Sequence, residues 1–393
     1  MAISRHIDDL MAGSSFIRKM FETGAKLKAE YGADKVFDFS LGNPNVPPVD
    51  AFRDQLESII ADETPGKHGY MPNAGYPFVR EAVADWVSSE QSSAVDFNSI
   101  VMTCGAGGGM NAVLKSILNS GDRVLVSAPC FMEYKFYCDN HGGSLEVLRP
   151  KDDLSLDPAA IEAALGEDVA AVIINSPNNP SGKIYSEENL KEIIAVLRAS
   201  EKKTGRAVYL ICDEPYRKIV FDAAVVPAVF PLYENTIIVT SYSKDLSIPG
   251  ERIGYAAVNP AADDFEKLMN AIILCNRIMG FVNAPAFMQR AVEGLQGVSV
   301  DIGEYQRKRD ILCSGLWDIG YEFEKPLGTF YLFPKAPAGD DAKIVDLLLQ
   351  ERVLVVPGRG FAMPGYFRIS YCVDDKVIEG SMDGFRRAFE QMK

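Results

Sequence analysis

Between residues 99 and 258 the chain alternates short runs of β-branched and other apolar residues with stretches of helical periodicity. The runs are Ser99 to Thr103, Arg123 to Ser127, Val169 to Asn175, Val208 to Cys212, Thr236 to Thr240 and Ile253 to Val258. Stretches between them carry apolar residues at i, i+3 and i+4, as in Leu190, Ile193, Ile194 and Leu197, which is the stripe of an amphipathic helix. Strand and helix in alternation predict an α/β fold with a mostly parallel sheet covered on both faces. Ligands of such sheets sit at the carboxyl ends of the strands, so the residues just after each run are where chemistry is expected.

The flanks read differently. Before residue 45 a helical stretch leads into FDFSLGNPNVPP, where a glycine and three prolines force an irregular passage. After about residue 285 a long helix-like region, Ala286 to Ile319, precedes GTFYLFP, an acidic break at Gly339 to Asp341, a helix, VLVVPG, FRISY and a closing amphipathic helix. This mixed pattern predicts a smaller α+β domain built from both chain ends. The expected division is 1–45 in the small domain, 46–285 as the large domain and 286–393 as the rest of the small one.

Composition narrows the function. Lys and Arg number 40 against 54 Asp and Glu, a net charge of -14, and a surplus of that sign repels nucleic-acid backbones and anionic lipid. Three histidines (His6, His68, His141), scattered along the chain, argue against a metal centre. The seven cysteines are odd in number and several sit in apolar runs, which reads as buried thiols in a reducing compartment. No apolar stretch of signal or membrane-span length is found, and the expected location is the cytoplasm.

Four segments after the runs carry candidate chemistry. NSPNNPSG, residues 175 to 182, is a turn whose side-chain amides can bond backbone or ligand, and standing alone it is an ordinary polar turn. DEPYRK places Asp213 at a strand end with Tyr216 three residues on, an arrangement that also serves as a helix cap. SYSKDLSIPGERIGY, residues 241 to 255, offers Ser241, Ser243, Lys244 and Arg252 between glycines, and its short hydroxyls and fork-shaped guanidinium suit a phosphate. CGAGGGMN, residues 104 to 111, follows a strand and opens a helix, so its backbone N–H groups suit an anion. It fits neither a P-loop nor G-x-G-x-x-G, which disfavours ATP and dinucleotides.

In order and spacing these segments, with LGNPNVPP at 41 to 48 and FRISY at 367 to 371, resemble the class I/II aminotransferases, the fold type I enzymes that use pyridoxal 5′-phosphate and include the aspartate aminotransferases. The resemblance spans nearly the whole chain. It implies a seven-stranded-type large sheet, a homodimer, and a role for each matched residue. Lys244 matches the lysine that forms the internal Schiff base and shuttles the proton. Asp213 matches the partner of the pyridine nitrogen. Tyr216 and Asn179 match the donors to the 3′ oxygen, and Phe131 the ring stacked on the cofactor. Gly105, Ala106, Gly107, Ser241, Ser243 and Arg252 match the phosphate site. Tyr70, in HGYMPNAGYP, matches the tyrosine that reaches the phosphate of the neighbouring subunit. Arg368, with the Gly42 backbone and Asn179, matches the grip on the substrate α-carboxylate.

The resemblance implies transfer of an amino group between an L-amino acid and a 2-oxo acid, with aspartate and 2-oxoglutarate as one candidate pair. For a second carboxylate it leaves Arg277, about one residue out of register, and on weaker grounds Arg359. Gly107 stands where some bacterial aspartate enzymes carry a lysine. Met71, Tyr76, Phe330 and Tyr331 are further candidate pocket walls. The same constellation supports β-elimination (carbon–sulfur lyase chemistry), and a non-catalytic sensor on this fold is a third reading.

Overall fold

The structure, a computed structural model, describes residues 3–12 and 16–393. Its centre is a seven-stranded sheet in the order Ile100–Thr103, Gly254–Val258, Thr236–Ser241, Tyr209–Asp213, Val169–Asn175, Arg123–Ser127, Ser144–Leu148. Gly254–Val258 runs antiparallel to both its neighbours, and the remaining pairings are parallel. Val169–Asn175 is buried at every position, as a central strand covered on both faces must be.

Six of these strands follow the apolar runs of the sequence. The seventh, Ser144–Leu148, escapes that reading because it is an edge strand. None of its residues is fully buried, and Glu146 pairs from it with Arg123 on the neighbouring strand. One expectation is corrected outright. Ala286 to Ile319 is two helices, Ala286–Glu293 and Ile302–Ile319. Gly294 closes the first, Gly297 turns the chain at φ +79°, and the Asp301 side chain caps the second by accepting from the Gly303 N–H at 2.9 Å.

Two apolar clusters pack the faces of the large sheet: one joins Val83, Leu125 and Ile193, the other Val113, Val126 and Ile272. Met288, Ala291, Val292 and Leu295, beyond the expected division at 285, belong to the first of them. A third cluster unites Met20 and Phe39 from the start of the chain with residues from Val300 to Met392. Its strands are short: Phe37–Asp38 pairs in parallel with Val353–Leu354, while Phe367–Ser370 pairs antiparallel with Val356–Pro357 and Tyr331–Leu332.

Candidate active site

Three adjacent parallel strands of the large sheet end on Asn175, Asp213 and Ser241, and all three residues line one cavity of about 300 Å³. The cavity lies at the carboxyl ends of the strands, where the helix Gly105–Ile117 also begins. Leu41, Gly42, Tyr331 and Arg368 close it from the side of the third apolar cluster.

Asp213 is buried, and Tyr134 Oη donates to its Oδ2 at 2.5 Å. Its Oδ1 is buried with no partner among the described residues. Burial pushes the Asp213 carboxyl up to about 6, against the opposing pull of the Tyr134 hydroxyl. The Asn175 side chain holds the floor together: its Nδ2 donates to the Asp213 carbonyl at 2.8 Å, and its Oδ1 accepts from the Asn179 N–H at 2.7 Å.

Lys244 follows the strand that ends on Ser241, and its Nζ donates to the Gly42 carbonyl at 3.1 Å. Removal from water lowers the amine to about 8, and the cationic Arg368 and Arg252 push it the same way. Tyr216 Oη lies 3.0 Å from Tyr331 Oη, both deep in the wall. Arg368 is buried between the rings of Tyr331 and Phe361, 4.5 and 4.8 Å from their centroids. Its Nη1 donates to Asn179 Oδ1 at 3.1 Å and its Nη2 to the Ser40 carbonyl at 2.7 Å, while Nε is buried without a partner. Since Asn179 Oδ1 accepts from Arg368, Asn179 Nδ2 remains as a donor.

At the helix start Ala106 and Gly107 line the cavity with Ser241, Ser243 and Arg252. Gly105 opens the helix just behind them at φ +69°, and a Cβ there would stand 2.9 Å from Arg252 Nη2. Only glycine satisfies both the backbone and that contact.

The cavity thus gathers Gly42, Ala106, Gly107, Phe131, Asn179, Asp213, Tyr216, Ser241, Ser243, Lys244, Arg252 and Arg368, residues spread over more than 300 positions of sequence. Tyr70 is outside it, 95% exposed, in a separate groove with Met71, Phe281 and Val282. Arg277 is exposed and does not line the cavity. Arg359 is held by Asp341 through Nε at 3.0 Å and Nη2 at 2.8 Å, and it lies outside the cavity as well. Of the further wall candidates Tyr331 lines the cavity; Phe330 stands behind it with its ring 5.6 Å from Lys244 Nζ, and the Tyr76 ring stacks under Arg290. Tyr134 and Tyr137 line it without having been singled out. Their signal was present: Phe131, Tyr134 and Tyr137 recur every third residue after the strand Arg123–Ser127, so a short helix turns one aromatic face to the cavity.

Comparisons with known proteins agree on one family. The profile described as aminotransferase class I and II matches residues 34–383. A probable aspartate/prephenate aminotransferase of Aquifex aeolicus is 31% identical over 91% of this chain and 92% of its own. A probable aspartate aminotransferase of Methanocaldococcus jannaschii is 29% identical over 88% and 92%. Among solved structures, an aminotransferase from Eubacterium rectale superposes with a TM-score of 0.97 at 36% identity, covering 100% of both chains. Aspartate aminotransferase of Thermus thermophilus, at 24% identity over 99% of this chain and 100% of its own, shares the fold with a TM-score of 0.87. With the profile spanning most of its length, this chain belongs to the class I and II aminotransferases, and it is a transaminase of the fold type I architecture.

Proposed function

We propose that the cavity holds pyridoxal 5′-phosphate and that the chain passes an amino group between an L-amino acid and a 2-oxo acid, with aspartate and 2-oxoglutarate as the first pair. The observation that carries this reading is Asp213, a buried carboxylate with one oxygen bonded to Tyr134 and the other left without a partner. A protonated pyridine nitrogen would supply the missing donor. The rest of the cavity fits the same group. Ala106 and Gly107 offer first-turn N–H groups, and Ser241, Ser243 and Arg252 add donors for a phosphate. The bound cofactor would supply an electron sink for the pair released when the substrate Cα loses its proton.

Each of the chain's own groups then has work suited to its environment. An amine lowered to about 8 is unprotonated in a larger fraction near neutrality than a solvated lysine. Lys244 Nζ is therefore the group that would hold the cofactor covalently, and as an unprotonated amine it would serve as the base that takes the Cα proton and returns it. Asp213 would hold the ring nitrogen in its protonated form. Tyr216, whose proton burial retains, and Asn179 Nδ2 are donors to the ring oxygen. Arg368, with an unpartnered Nε and a further N–H on each Nη, receives the substrate α-carboxylate in a planar fork.

Tyr70 we assign to the neighbouring subunit's site in a homodimer. Its near-complete exposure in the single chain, with Phe281 and Val282 of the same groove exposed as well, supports that assignment. The relatives' names support aspartate as substrate, although neither Arg277 nor Arg359 lines the cavity of a single chain. We put the second domain boundary after Leu295, in keeping with the packing of residues 288–295. A cytoplasmic location is supported by seven free thiols; no helix among the described residues is long and apolar enough to cross a membrane.

A half-reaction screen tests the function. Holo-protein is mixed with each amino acid and the near-visible spectrum of the cofactor is followed, with Lys244→Ala as the control that loses the covalent adduct. Stable conversion to the amine form with aspartate is the expected result. Release of pyruvate and ammonia with the original spectrum regenerated would overturn it.

A further inference from the structure

Tyr137 is a cavity residue that neither the sequence motifs nor the mechanism above uses. It lies one helical turn beyond Tyr134, on the helix Glu133–Asp139, with its ring 6.5 Å from the Tyr134 ring. Its hydroxyl makes no hydrogen bond among the described residues, so the fold itself has no use for that oxygen. The position of the oxygen is informative. A Cβ built on Gly107 would come 3.2 Å from Tyr137 Oη, which sets the hydroxyl over the first turn of the helix Gly105–Ile117. Arg252 reaches the same turn, where a Cβ on Gly105 would stand 2.9 Å from its Nη2. The absence of a side chain at 107 is what gives the hydroxyl room.

We propose that Tyr137 is a hydrogen-bond donor to the phosphate held at this helix start, and that glycine at 107 is the complement that admits its hydroxyl. This deepens the cofactor reading above and rests on it. A phenol there is a donor throughout the working range, since burial and the nearby Glu133 and Asp213 carboxylates raise its pKa to about 12 while Arg252 opposes them. The hydroxyl does the same chemistry as Ser241 and Ser243, delivered from a different element: it adds a neutral donor to an anion already met by a helix start and a guanidinium.

The test uses three full-length proteins: wild type, Tyr137→Phe, and the double variant Gly107→Ser with Tyr137→Phe. Phenylalanine keeps the ring, so the cofactor-free variant is expected to melt within a degree or so of wild type. Pyridoxal 5′-phosphate is titrated into each cofactor-free protein and followed by near-visible absorbance; inorganic phosphate is titrated separately and followed by thermal shift. Tyr137→Phe is expected to weaken the cofactor about tenfold and to reduce the stabilisation by phosphate, the order of one charge-assisted hydrogen bond. In the double variant the serine hydroxyl enters the space the phenol has left, and recovery of at least a third of the lost affinity is expected. Unchanged cofactor and phosphate binding in Tyr137→Phe overturns the proposal. So does normal cofactor affinity combined with a raised KM for aspartate, which would make Tyr137 a contact of the substrate side chain. A wild type that takes up no cofactor would instead refute the parent reading, and the phosphate titration would still decide the role of Tyr137.

Discussion

Asp213→Asn separates what the carboxylate costs the empty protein from what it contributes to the loaded one. In the fold its pKa stands at about 6 against an ordinary value of 3.8, because burial penalises the charged form more than Tyr134 relieves it. An acid whose folded pKa is raised binds its proton more tightly folded than unfolded, so the fold loses stability as pH rises from about 4 to about 6. Above that window the loss is complete, and the displacement corresponds to about 3 kcal/mol. Asparagine keeps the volume, can accept from Tyr134 and carries no charge. Cofactor-free Asp213→Asn is therefore expected to be more stable than wild type by about 3 kcal/mol at pH 8 and by about 1 kcal/mol at pH 4.5. For a chain of this length the unfolding entropy makes that a rise of about 4 °C in Tm. The assay is differential scanning fluorimetry of the cofactor-free proteins at both pH values, beside cofactor titrations in which the variant should bind weakly and support no half-reaction. Equal Tm at pH 8, or the same gain at both pH values, would refute the argument that an unpaired buried charge is held in wait for a ligand.

Two further substitutions probe single contacts. Arg368→Lys exchanges a planar fork between two aromatic rings for a point charge, and it should raise KM about 50-fold or more for every amino acid alike, since the α-carboxylate is common to all. A loss confined to acidic substrates would move Arg368 to side-chain recognition. Tyr134→Phe removes the bond that lowers the Asp213 pKa, so the carboxylate should protonate at higher pH. Cofactor affinity should then fall about tenfold at pH 6 and recover toward pH 9, whereas a pH-independent loss would point to packing alone.

How much of this was legible in the sequence depends on burial and separation. Central strands are covered on both faces and so read as continuous apolar runs, and the parallel runs Val169–Asn175, Tyr209–Asp213 and Thr236–Ser241 point to site residues at or just past their carboxyl ends, as with Asp213 and Lys244. Ser144–Leu148 has one neighbour and half-exposed residues, so it carries no such run. Gly294 and Gly297 were visible inside Ala286 to Ile319, but helical periodicity on either side outweighed them. Roles that depend on partners distant in sequence stayed hidden. Tyr134 and Asp213 are 79 positions apart, and only the fold brings them into contact.

The same dependence on placement resolves the conflict between an acidic chain and two anionic ligands. A net charge of -14 governs encounters at distances where the surface acts as a whole, yet at physiological salt exposed charges are screened beyond about 8 Å. Inside the cavity the balance is reversed: Lys244, Arg252 and Arg368 face it with one carboxylate, Asp213, and with a helix start that adds partial positive charge. The backbone keeps the opposing charges behind this wall. Glu214, next to Asp213, pairs with Arg217 at 3.0 Å, and Asp245, next to Lys244, pairs with Lys218 at 2.9 Å, both in a second buried cluster. Consecutive residues thus send one side chain to the cavity and the next to an internal ion pair. Alternation across the cavity wall, and not overall composition, makes this site cationic.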